Sequence, residues 1–548
     1  MSNPSERPSL VVDGLSVTLG RGDSRRRVVD DISFTVSPGR AVALVGESGS
    51  GKSVTARSLV GLTGDGAEVR ARTLRYGAHD LTALGERDWR RLRGREIGFV
   101  LQDALVSLDP LRTVGDELAE ALAAHGGWRD RSARRDRIVE LLDRVGIPEP
   151  RLRARQRPDQ LSGGLRQRAL IATALALDPP ILIADEPTTA LDATVQAQIL
   201  DLLDAIKRSG TGLLVISHDL SVVSRIADEV VVLNHGEVVE RGPTADVLGR
   251  PTHPYTRLLL DSVPGARPHV RRPEGADAPV VLEANGLAKA YRGPDGLSRP
   301  AVEDVSFTLK AGRTIGIVGE SGSGKSTTAR IALGLLDPDS GSVRFDGRPW
   351  TGAGDARVVE RERRAQRPHF GVVYQDPLSS FDPRWTVGEI LSDALDAGGV
   401  PRGEHRARIA SLLDRVRLSA DFAVRRPLQL SGGQRQRIAI ARSLAANPKV
   451  IVCDEPVSAL DVSVQAQVLD LLDVLQRESG VAYLFISHDL GVIRQVSDEV
   501  LVMYGGRIVE RGPTEDVLDH PQHPFTQKLI ESISGARTFA SGAASPAP

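Results

Sequence analysis

Residues 46–53 read GESGSGKS, and residues 319–326 repeat this octapeptide letter for letter. Each copy has the spacing G-x-x-x-x-G-K-S and follows a short apolar run, residues 41–45 in the first copy and residues 314–318 in the second. A strand, a glycine-rich loop and a helix are the context in which this spacing forms a phosphate-binding loop. The backbone N–H groups of such a loop point into one anion site at the positive end of the next helix. The repeat therefore predicts two nucleotide phosphate sites.

The lysine and the serine that end each loop have predicted roles of their own. We expect Lys52 and Lys325 to reach the β- and γ-phosphates, and the hydroxyls of Ser53 and Ser326 to bind Mg²⁺. Arginine is the common basic residue elsewhere in the chain, but a slim ammonium fits among phosphates where a planar guanidinium does not. A turn rich in Gly and Ser that matches by chance is the alternative, and two copies in the same context argue against it.

The length of the chain and its internal repeat indicate two domains. The chain has 548 residues and a formal net charge of -1. Two units of about 250 residues fit the repeat, and each can bury a full core. The pI of about 6.9 gives no indication of a nucleic-acid partner. We expect a first domain over residues 9–262, a linker rich in Pro and Gly over 263–279, a second domain over 280–536 and a disordered tail over 537–548.

The sequence contains neither an export signal nor a membrane span. Its start, MSNPSERPSL, lacks a basic and apolar leader, and no run of roughly 18 or more apolar residues occurs. We therefore expect a soluble or peripheral protein, and if it serves transport, another polypeptide must form the pore. The one cysteine, Cys453, permits no disulfide framework and no cysteine-held cluster, which fits a reducing compartment.

Two further motifs follow the loop in both halves. A lone glutamine, Gln102 and then Gln375, precedes the segments DALVSLDP and DPLSSFDP. A lone Gln is usually a surface residue, but its repetition at the matching position favours a function. Next come LSGGLRQR at residues 161–168 and LSGGQRQR at residues 430–437. A serine before two glycines at a helix start offers a hydroxyl and N–H groups to an anion, although a simple capped helix explains the same pattern.

Paired carboxylates end the apolar runs ILIADEP and VIVCDEP. A strand end beside the phosphate loop is where Mg²⁺ must be held, which predicts that Asp185 and Asp454 bind it, through water. The next residue points the other way from a strand, so Glu186 and Glu455 are predicted to orient or deprotonate the attacking water.

A histidine follows a later strand in each half, in the motif ISHDL. We expect His218 and His488 to touch the γ-phosphate. A lone His after a strand is usually structural, but its repetition after every other motif weakens that interpretation.

In this order, the motifs of both halves resemble the nucleotide-binding domains of the ATP-binding cassette family. The resemblance covers nearly the whole chain and identifies the Walker A loops, the Q-loop glutamines, the LSGG signatures, the Walker B carboxylates, the D-loops at Ala190 and Ala459, and the H-loop histidines. It implies an α/β fold of tandem P-loop ATP-binding cassette domains, each with a RecA-like core, a helical subdomain and an antiparallel β subdomain. It also implies an internal pseudo-dimer of the two domains, in which the Walker A loop of one half and the signature of the other close on one ATP.

The resemblance implies one set of site residues per half, with ATP and Mg²⁺ as cofactors. The catalytic residues are Glu186, Glu455, His218 and His488. The metal ligands are Ser53, Gln102, Asp185, Ser326, Gln375 and Asp454. The ATP-binding residues of the first half are Gly46, Glu47, Ser48, Gly49, Ser50, Gly51, Lys52, Ser53, Val54, Gln102, Ser162, Gly163 and Gly164. Those of the second half are Tyr291, Gly319, Glu320, Ser321, Gly322, Ser323, Gly324, Lys325, Ser326, Thr327, Gln375, Ser431, Gly432, Gly433 and Gln434.

Segments outside the nucleotide core carry a narrower resemblance. THPYTRLLL at residues 252–260 and QHPFTQKLI at residues 522–530, with SLDP and SFDP, are similar to the ATP-binding subunits of oligopeptide, dipeptide and nickel importers. This implies a peripheral ATPase on the cytoplasmic face of the cell membrane, working with two transmembrane permease subunits and an extracytoplasmic solute-binding protein. Many members hold an iron-sulfur cluster on cysteines beyond HPYT. This chain has no cysteines there, so we expect no iron-sulfur cluster.

Other functions stay open at this point. Nickel or another small solute is compatible with the same importer segments. An F-type cassette ATPase acting on the ribosome also fuses two such domains, but through a long charged helical linker that contacts RNA. The Pro/Gly linker, the near-neutral charge and HPYT favour transport and no nucleic-acid partner. A DNA-repair cassette protein would need zinc cysteines that this chain lacks.

The two halves differ at two predicted contacts with ATP. Aligning GLSVTL with GLAKAY places Leu19 opposite Tyr291, where the family usually has a ring that stacks on adenine. The signatures differ at Leu165 and Gln434. We therefore expect the site of the first half to hold ATP less tightly, while both halves keep their catalytic Glu and His.

Overall fold

A computed structural model describes the protein over residues 8–21, 25–102, 104–125, 128–189, 191–265, 278–293 and 296–534. The chain divides into two compact units, the first within residues 1–261 and the second within residues 262–532. The predicted tail at 537–548 and most of the predicted linker at 263–279 lie outside the described residues, so these two assignments and the exact domain bounds stay predictions.

The first unit contains two sheets. Its strands are β1 (Leu10–Leu19), β2 (Arg26–Val36), β3 (Ala41–Val45), β4 (Glu68–Arg70), β5 (Thr73–Tyr76), β6 (His79–Asp80), β7 (Ile97–Val100), β8 (Ile181–Asp185), β9 (Gly212–Ser217), β10 (Glu229–Asn234) and β11 (Glu237–Pro243). An antiparallel sheet has the order β2-β1-β5-β6, with β4 also on β1. The central sheet has the order β11-β10-β3-β9-β8-β7 and is parallel except for β11.

Eleven helices of the first unit are described. They are α1 (Lys52–Ser58), α2 (Glu86–Leu92), α3 (Ala104–Ser107), α4 (Val114–Ala123), α5 (Arg131–Arg144), α6 (Pro150–Arg153), α7 (Gly163–Ala174), α8 (Ala193–Arg208), α9 (Leu220–Ile226), α10 (Thr244–Gly249) and α11 (Pro254–Asp261). The helices α3 to α7 lie between β7 and β8 in the chain and form the helical part of the unit.

The second unit repeats this plan. Its strands are β12 (Val280–Arg292), β13 (Ser298–Lys310), β14 (Thr314–Val318), β15 (Ser340–Phe345), β16 (Arg348–Gly352), β17 (Phe370–Val373), β18 (Val450–Asp454), β19 (Ala482–Ile486), β20 (Glu499–Tyr504) and β21 (Arg507–Pro513). Its helices are α12 (Lys325–Ala332), α13 (Glu360–Arg363), α14 (Val387–Ala397), α15 (His405–Arg415), α16 (Gly432–Leu444), α17 (Val462–Ser479), α18 (Leu490–Val496), α19 (Thr514–Asp519) and α20 (Pro524–Ser534). The sheet orders are β13-β12-β15-β16 and β17-β18-β19-β14-β20-β21.

The central sheet is buried on both faces because its strands carry unbroken apolar runs. In β8, Ile181 and Ile183 pack with the antiparallel sheet, whereas Leu182 and Ala184 pack with the helices. This alternation follows from the two-residue period of a strand. The helix α8 buries an apolar stripe that includes Ile199 against the same face. The α/β cassette fold predicted from the sequence is confirmed.

The register of the parallel strands brings the motifs to one edge of the sheet. Val45 pairs with Ser217, Asp185 pairs with Ile216, and Val100 pairs with Ala184. The four strands that lead into motifs, β3, β7, β8 and β9, therefore end level at their carboxyl ends, where open α/β sheets bind their ligands. Within the described part of the chain, no helix combines the length and apolarity that a bilayer crossing needs.

Candidate active site

The first phosphate loop joins β3 to α1 and depends on two glycines. Gly46 has a φ of 151° and Gly51 a φ of 96°, which L-residues with a side chain rarely adopt. A Cβ on Gly46 would lie 2.2 Å from the carbonyl oxygen of Leu233, and one on Gly51 would lie 2.7 Å from that of Val28. The loop therefore fits closely between β10 and β2 and has one backbone shape.

The loop lysine lies over this backbone. Lys52 Nζ donates to the carbonyl oxygens of Gly46 at 2.7 Å and of Glu47 at 2.8 Å. In the second unit Lys325 Nζ makes the same contacts, 2.8 Å to Gly319 and 2.7 Å to Glu320. Each ammonium is buried among oxygen acceptors at the start of its helix, where the backbone also attracts anions.

The loop serine faces the first Walker B carboxylate in both units. Ser53 Oγ lies 3.1 Å from Asp185 Oδ1, and Ser326 Oγ lies 3.5 Å from Asp454 Oδ1. Burial raises the pKa of both aspartates above its ordinary value. A hydroxyl beside a buried carboxylate is an oxygen donor set that suits Mg²⁺, and a bound cation would compensate the buried charge.

The second Walker B carboxylate lies outside the strand. Strand β8 ends at Asp185, and Glu186 has a left-handed φ of 48° while its N–H donates to the Ile216 carbonyl at 2.9 Å. Glu455 repeats this with a φ of 49°. The direction of each side chain is thus set by a strained turn, and the strand-alternation argument for it was wrong. Such strain is common at functional sites.

Three donors hold the Glu186 carboxylate. Gln102 Nε2 donates to Oε2 at 2.9 Å, Thr189 Oγ1 donates to Oε2 at 3.0 Å, and His218 Nδ1 lies 3.2 Å from Oε1. Burial would raise the pKa of Glu186, but the hydrogen bond and charge of His218 outweigh it and the pKa falls to about 2. The carboxylate is therefore ionised at neutral pH.

The second unit repeats the Gln and His contacts, but the hydroxyl of Ser458 donates to the main-chain oxygen of Glu455 at 3.2 Å. Gln375 Nε2 donates to Glu455 Oε2 at 3.1 Å and lies 3.4 Å from Ser458 Oγ, and His488 Nδ1 lies 3.2 Å from Glu455 Oε2. Burial opposes the ionisation of both groups, yet their contact lowers the pKa of Glu455 and raises the pKa of His488. The structure thus brings the Q-loop, Walker B and H-loop residues together in each unit.

The signature serines cap the helices that follow them. Ser162 Oγ accepts from Leu165 N at 3.4 Å, and Ser431 Oγ accepts from Gln434 N at 3.3 Å. Gln434 Oε1 also accepts from Ser431 N at 3.0 Å, which completes a capping box that Leu165 cannot form. Leu165 instead packs on the helical core. The roles of these residues at an ATP bound by the other half stay a prediction.

The second signature glycine has a packing reason that the sequence did not reveal. A Cβ on Gly164 would lie 2.4 Å from Val195 Cγ1, and one on Gly433 would lie 2.3 Å from Val464 Cγ1. Both valines begin the helix that carries the repeated VQAQ sequence. The glycine therefore lets the signature helix pack against the helix after the D-loop. Of the D-loops, Ala190 lies outside the described residues.

Tyr291 is an exposed ring near the end of β12, with 44% of its surface accessible. Tyr291 pairs with Arg299 of β13. Two residues further along β13, the carbonyl oxygen of Ala301 would lie 2.2 Å from a Cβ on Gly324 of the loop. Leu19 at the corresponding position is partly buried against the core of its own unit. The predicted stacking ring is thus exposed in the second unit, and a leucine that packs on the core stands at its position in the first.

The HPYT segment contacts the phosphate loop in the first unit. Glu240 of β11 accepts the backbone N–H groups of Thr252 at 2.8 Å and His253 at 3.1 Å. The hydroxyl of Tyr255 accepts the backbone N–H of Glu47 at 3.1 Å. The sequence analysis assigns no site role to Thr189, Ser458, Glu240 or Tyr255, although the repetition of their surroundings in both halves was a usable signal.

No cluster of three or more His, Cys, Asp or Glu suited to a metal occurs in the described ranges. Each predicted Mg²⁺ site therefore rests on one hydroxyl and one carboxylate. The amide nitrogens of the Q-loop glutamines lie on Glu186 and Glu455, so their role as metal ligands stays a prediction. Cys453 is buried in β18. The absence of an iron-sulfur cluster stays a prediction.

Comparisons with known proteins match both halves. The model of the ABC transporter family matches residues 29–189 and 302–458, and that of the oligopeptide/dipeptide transporter C-terminal region matches residues 239–286 and 509–540. The glutathione import ATP-binding protein GsiA of Escherichia coli O157:H7 is 41% identical over 564 residues, covering 96% of this chain and 89% of that protein.

Two further similarities extend over most of the chain. The oligopeptide transport ATP-binding protein OppD of Mycobacterium tuberculosis is 41% identical over 607 residues, covering 96% of this chain and 98% of that protein. A solved complex of an archaeal ribosomal stalk protein and the ribosome recycling factor aABCE1 is 21% identical, with a TM-score of 0.59 and coverage of 91% of this chain and 90% of that one. At 21% identity, the similarity to this solved structure shows a shared fold and nothing more. From the two matched halves and the relatives at 41% identity, the chain belongs to the ABC transporter family, with two ATP-binding cassettes in one polypeptide.

Proposed function

We propose that this ATPase drives the import of peptides through separate membrane permeases. The observation that carries the proposal is that each unit combines a complete set of Walker A, Q-loop, Walker B and H-loop groups with an HPYT-type segment tied to the same unit. The named import functions of the relatives, for glutathione and for oligopeptides, support peptides as the solute class.

In this proposal the chain works mainly by positioning, because phosphoryl transfer asks for little covalent chemistry from the protein. The loop N–H groups and Lys52 hold the phosphates. Ser53 and Asp185 would hold Mg²⁺, with Gln102 as a further predicted ligand, and the ion would supply positive charge that offsets the charge of the phosphates. The second unit uses its corresponding residues.

Glu186 then accepts a hydrogen bond from the attacking water and turns its oxygen toward the γ-phosphorus. A carboxylate with a pKa of about 2 is a weak base, so orientation comes first and proton uptake follows as the phosphorus–oxygen bond to ADP breaks. His218 holds the carboxylate through Nδ1, and in this proposal the same ring also touches the γ-phosphate.

Permease docking would use the segments after the Q-loops, residues 103–110 and 376–383. Asp103 lies outside the described residues. Around the first segment, Val106 is 81% exposed and Leu111 is 77% exposed. These exposed apolar side chains are available to a partner, which supports docking at this segment. We propose two permease subunits there, an extracytoplasmic binding protein beyond them, and a peripheral location at the cytoplasmic face of the membrane.

Uptake in a strain that lacks this chain and any redundant importer tests the proposal. We expect labelled di- and tripeptide uptake to be lost, to return with the wild-type chain, and to stay lost with the Glu186→Gln, Glu455→Gln variant. Wild-type uptake without the chain would end the peptide assignment. Loss of nickel uptake alone would instead assign this ATPase to nickel import.

Co-purification tests the mechanical link separately. We expect two permeases to follow the chain from detergent-solubilised membranes and to stimulate or restrain its ATP hydrolysis. Sedimentation with ribosomes and no recovery of permeases would instead support a ribosomal ATPase.

A further inference from the structure

One peptide group of the first phosphate loop is held from both sides. The carbonyl oxygen of Gly46 and the N–H of Glu47 belong to the same peptide unit. The carbonyl accepts from Lys52 Nζ at 2.7 Å, while the N–H donates to the hydroxyl of Tyr255 at 3.1 Å. A peptide rotation here would break both bonds at once. Such a rotation would change ψ of Gly46 and φ of Glu47, and glycine restricts the backbone less than other residues do.

The position of Tyr255 is itself fixed by the HPYT motif. Glu240 accepts the N–H groups of Thr252 and His253, and His253 Nδ1 accepts the N–H of Tyr255 at 3.2 Å. The proline at 254 begins α11, where a missing N–H costs nothing. The motif is thus a chain of contacts from the edge strand β11 to the phosphate loop.

The second unit has the same scaffold without the hydroxyl. Glu510 accepts the N–H groups of Gln522 at 2.7 Å and His523 at 3.1 Å, and His523 Nδ1 accepts the N–H of Phe525 at 3.1 Å. The ring of Phe525 packs on Tyr504 with centroids 4.4 Å apart. A phenylalanine ring cannot accept the N–H of Glu320 in the way that a tyrosine hydroxyl does.

We propose that Tyr255 is a positioning residue that holds the Gly46–Glu47 peptide in its phosphate-binding orientation, so that the HPYT segment is coupled to ATP binding at the first site only. The inference rests on the proposed role of the two loops as ATP sites. It assigns to the C-terminal region of the first unit a direct contact with the nucleotide machinery, which the second unit replaces with ring packing.

ATP affinity measured one site at a time tests the inference in the full chain. In a Lys325→Ala background, which leaves the first loop intact, we expect Tyr255→Phe to raise the Kd for ATP about 3- to 10-fold, the range of one lost hydrogen bond. In a Lys52→Ala background the same substitution should leave the Kd unchanged. In steady state, Tyr255→Phe should raise KM for ATP with little change in kcat.

The reciprocal substitution is the matched control. Phe525→Tyr adds the hydroxyl to an identical scaffold, so in the Lys52→Ala background we expect it to lower the Kd at the second site by a similar factor. An unchanged Kd in either reciprocal experiment, or an equal change at both sites with a lowered melting temperature, would overturn the inference. A Lys52→Ala, Lys325→Ala chain that still binds ATP as the wild type does would instead remove the proposed function of the loops.

Discussion

The two units share their chemistry and differ in the contacts around it. Gln, Glu and His form the same carboxylate network in both, with donor distances of 2.9 and 3.2 Å to Glu186 and of 3.1 and 3.2 Å to Glu455. The differences lie at the adenine position, at the first turn of the signature helix, and at the residue that faces the phosphate loop from HPYT. The two units thus share the groups that are predicted to act on water and differ in groups that are predicted to hold ATP.

This pattern supports the hypothesis of two competent sites with unequal affinity for ATP. A site that had lost hydrolysis would show a changed Walker B glutamate or H-loop histidine, and neither unit does. Affinity depends on many small contacts, so a lost ring or hydroxyl shifts it without removing the reaction. The following substitutions test the shared network first and then the differences.

Removal of the two glutamate charges should have the largest effect. The double Glu186→Gln, Glu455→Gln variant keeps the shape of the network but removes the ionised oxygens that orient water. We expect the ATPase kcat to fall about 100-fold or more, with the Kd for ATP near that of the wild type. Single variants compare the units, and each should retain part of the activity. Near wild-type hydrolysis by the double variant would exclude these residues from the reaction.

Substitution of a signature glycine should have the next largest effect. Gly164→Ala places a methyl group 2.4 Å from Val195 Cγ1, which should destabilise the first unit by about 1–3 kcal/mol. Gly163→Ala is the matched control, because its Cβ would meet nothing closer than Leu191 Cδ2 at 3.6 Å. Thermal unfolding of both variants measures the difference. Equal melting temperatures would contradict the packing explanation.

The adenine position should separate the sites by affinity. Tyr291→Leu removes the exposed ring from the second site, and base stacking on a ring contributes about 1–3 kcal/mol elsewhere. We expect the Kd for ATP in a Lys52→Ala background to rise about 5-fold or more. Leu19→Tyr should strengthen the first site less, because Leu19 packs against the core. Equal Kd values for the two wild-type sites would remove the asymmetry itself.

The sequence predicted the motifs well because phosphate binding dictates residue type and spacing together. Lys52, Ser53, Asp185 and Gln102 were all identified before their contacts were known, and the structure brings them to one sheet edge. The direction of Glu186 was not predictable, because a left-handed φ in a non-glycine residue leaves no mark on the sequence. Tyr255 was noticed only as part of a family segment, since its hydrogen bond to Glu47 joins residues far apart in the chain.

Glu240 and Glu510 anchor the two HPYT-type segments. Substitution of these carboxylates should have the smallest effect of the changes considered. Burial would raise the pKa of Glu240, but the N–H groups of Thr252 and His253 lower it to about 2, and the pKa of Glu510 is lowered in the same way. A carboxylate whose pKa is lowered by folding stabilises the folded state at pH values above its ordinary pKa of 4.5. This stabilisation is lost as the pH falls toward the pKa of the folded state.

Glu240→Gln and Glu510→Gln should therefore each lower the melting temperature at pH 7 by a small amount, equivalent to less than about 1 kcal/mol because both groups lie near the surface. The difference in melting temperature between each variant and the wild type should narrow as the pH falls below the ordinary pKa of a glutamate. Calorimetry at several pH values measures this difference. A gap that widens in acid would contradict the sign. Since only the first anchor leads to a tyrosine hydroxyl, Glu240→Gln should also weaken ATP binding at the Lys52 site, whereas Glu510→Gln should change stability alone.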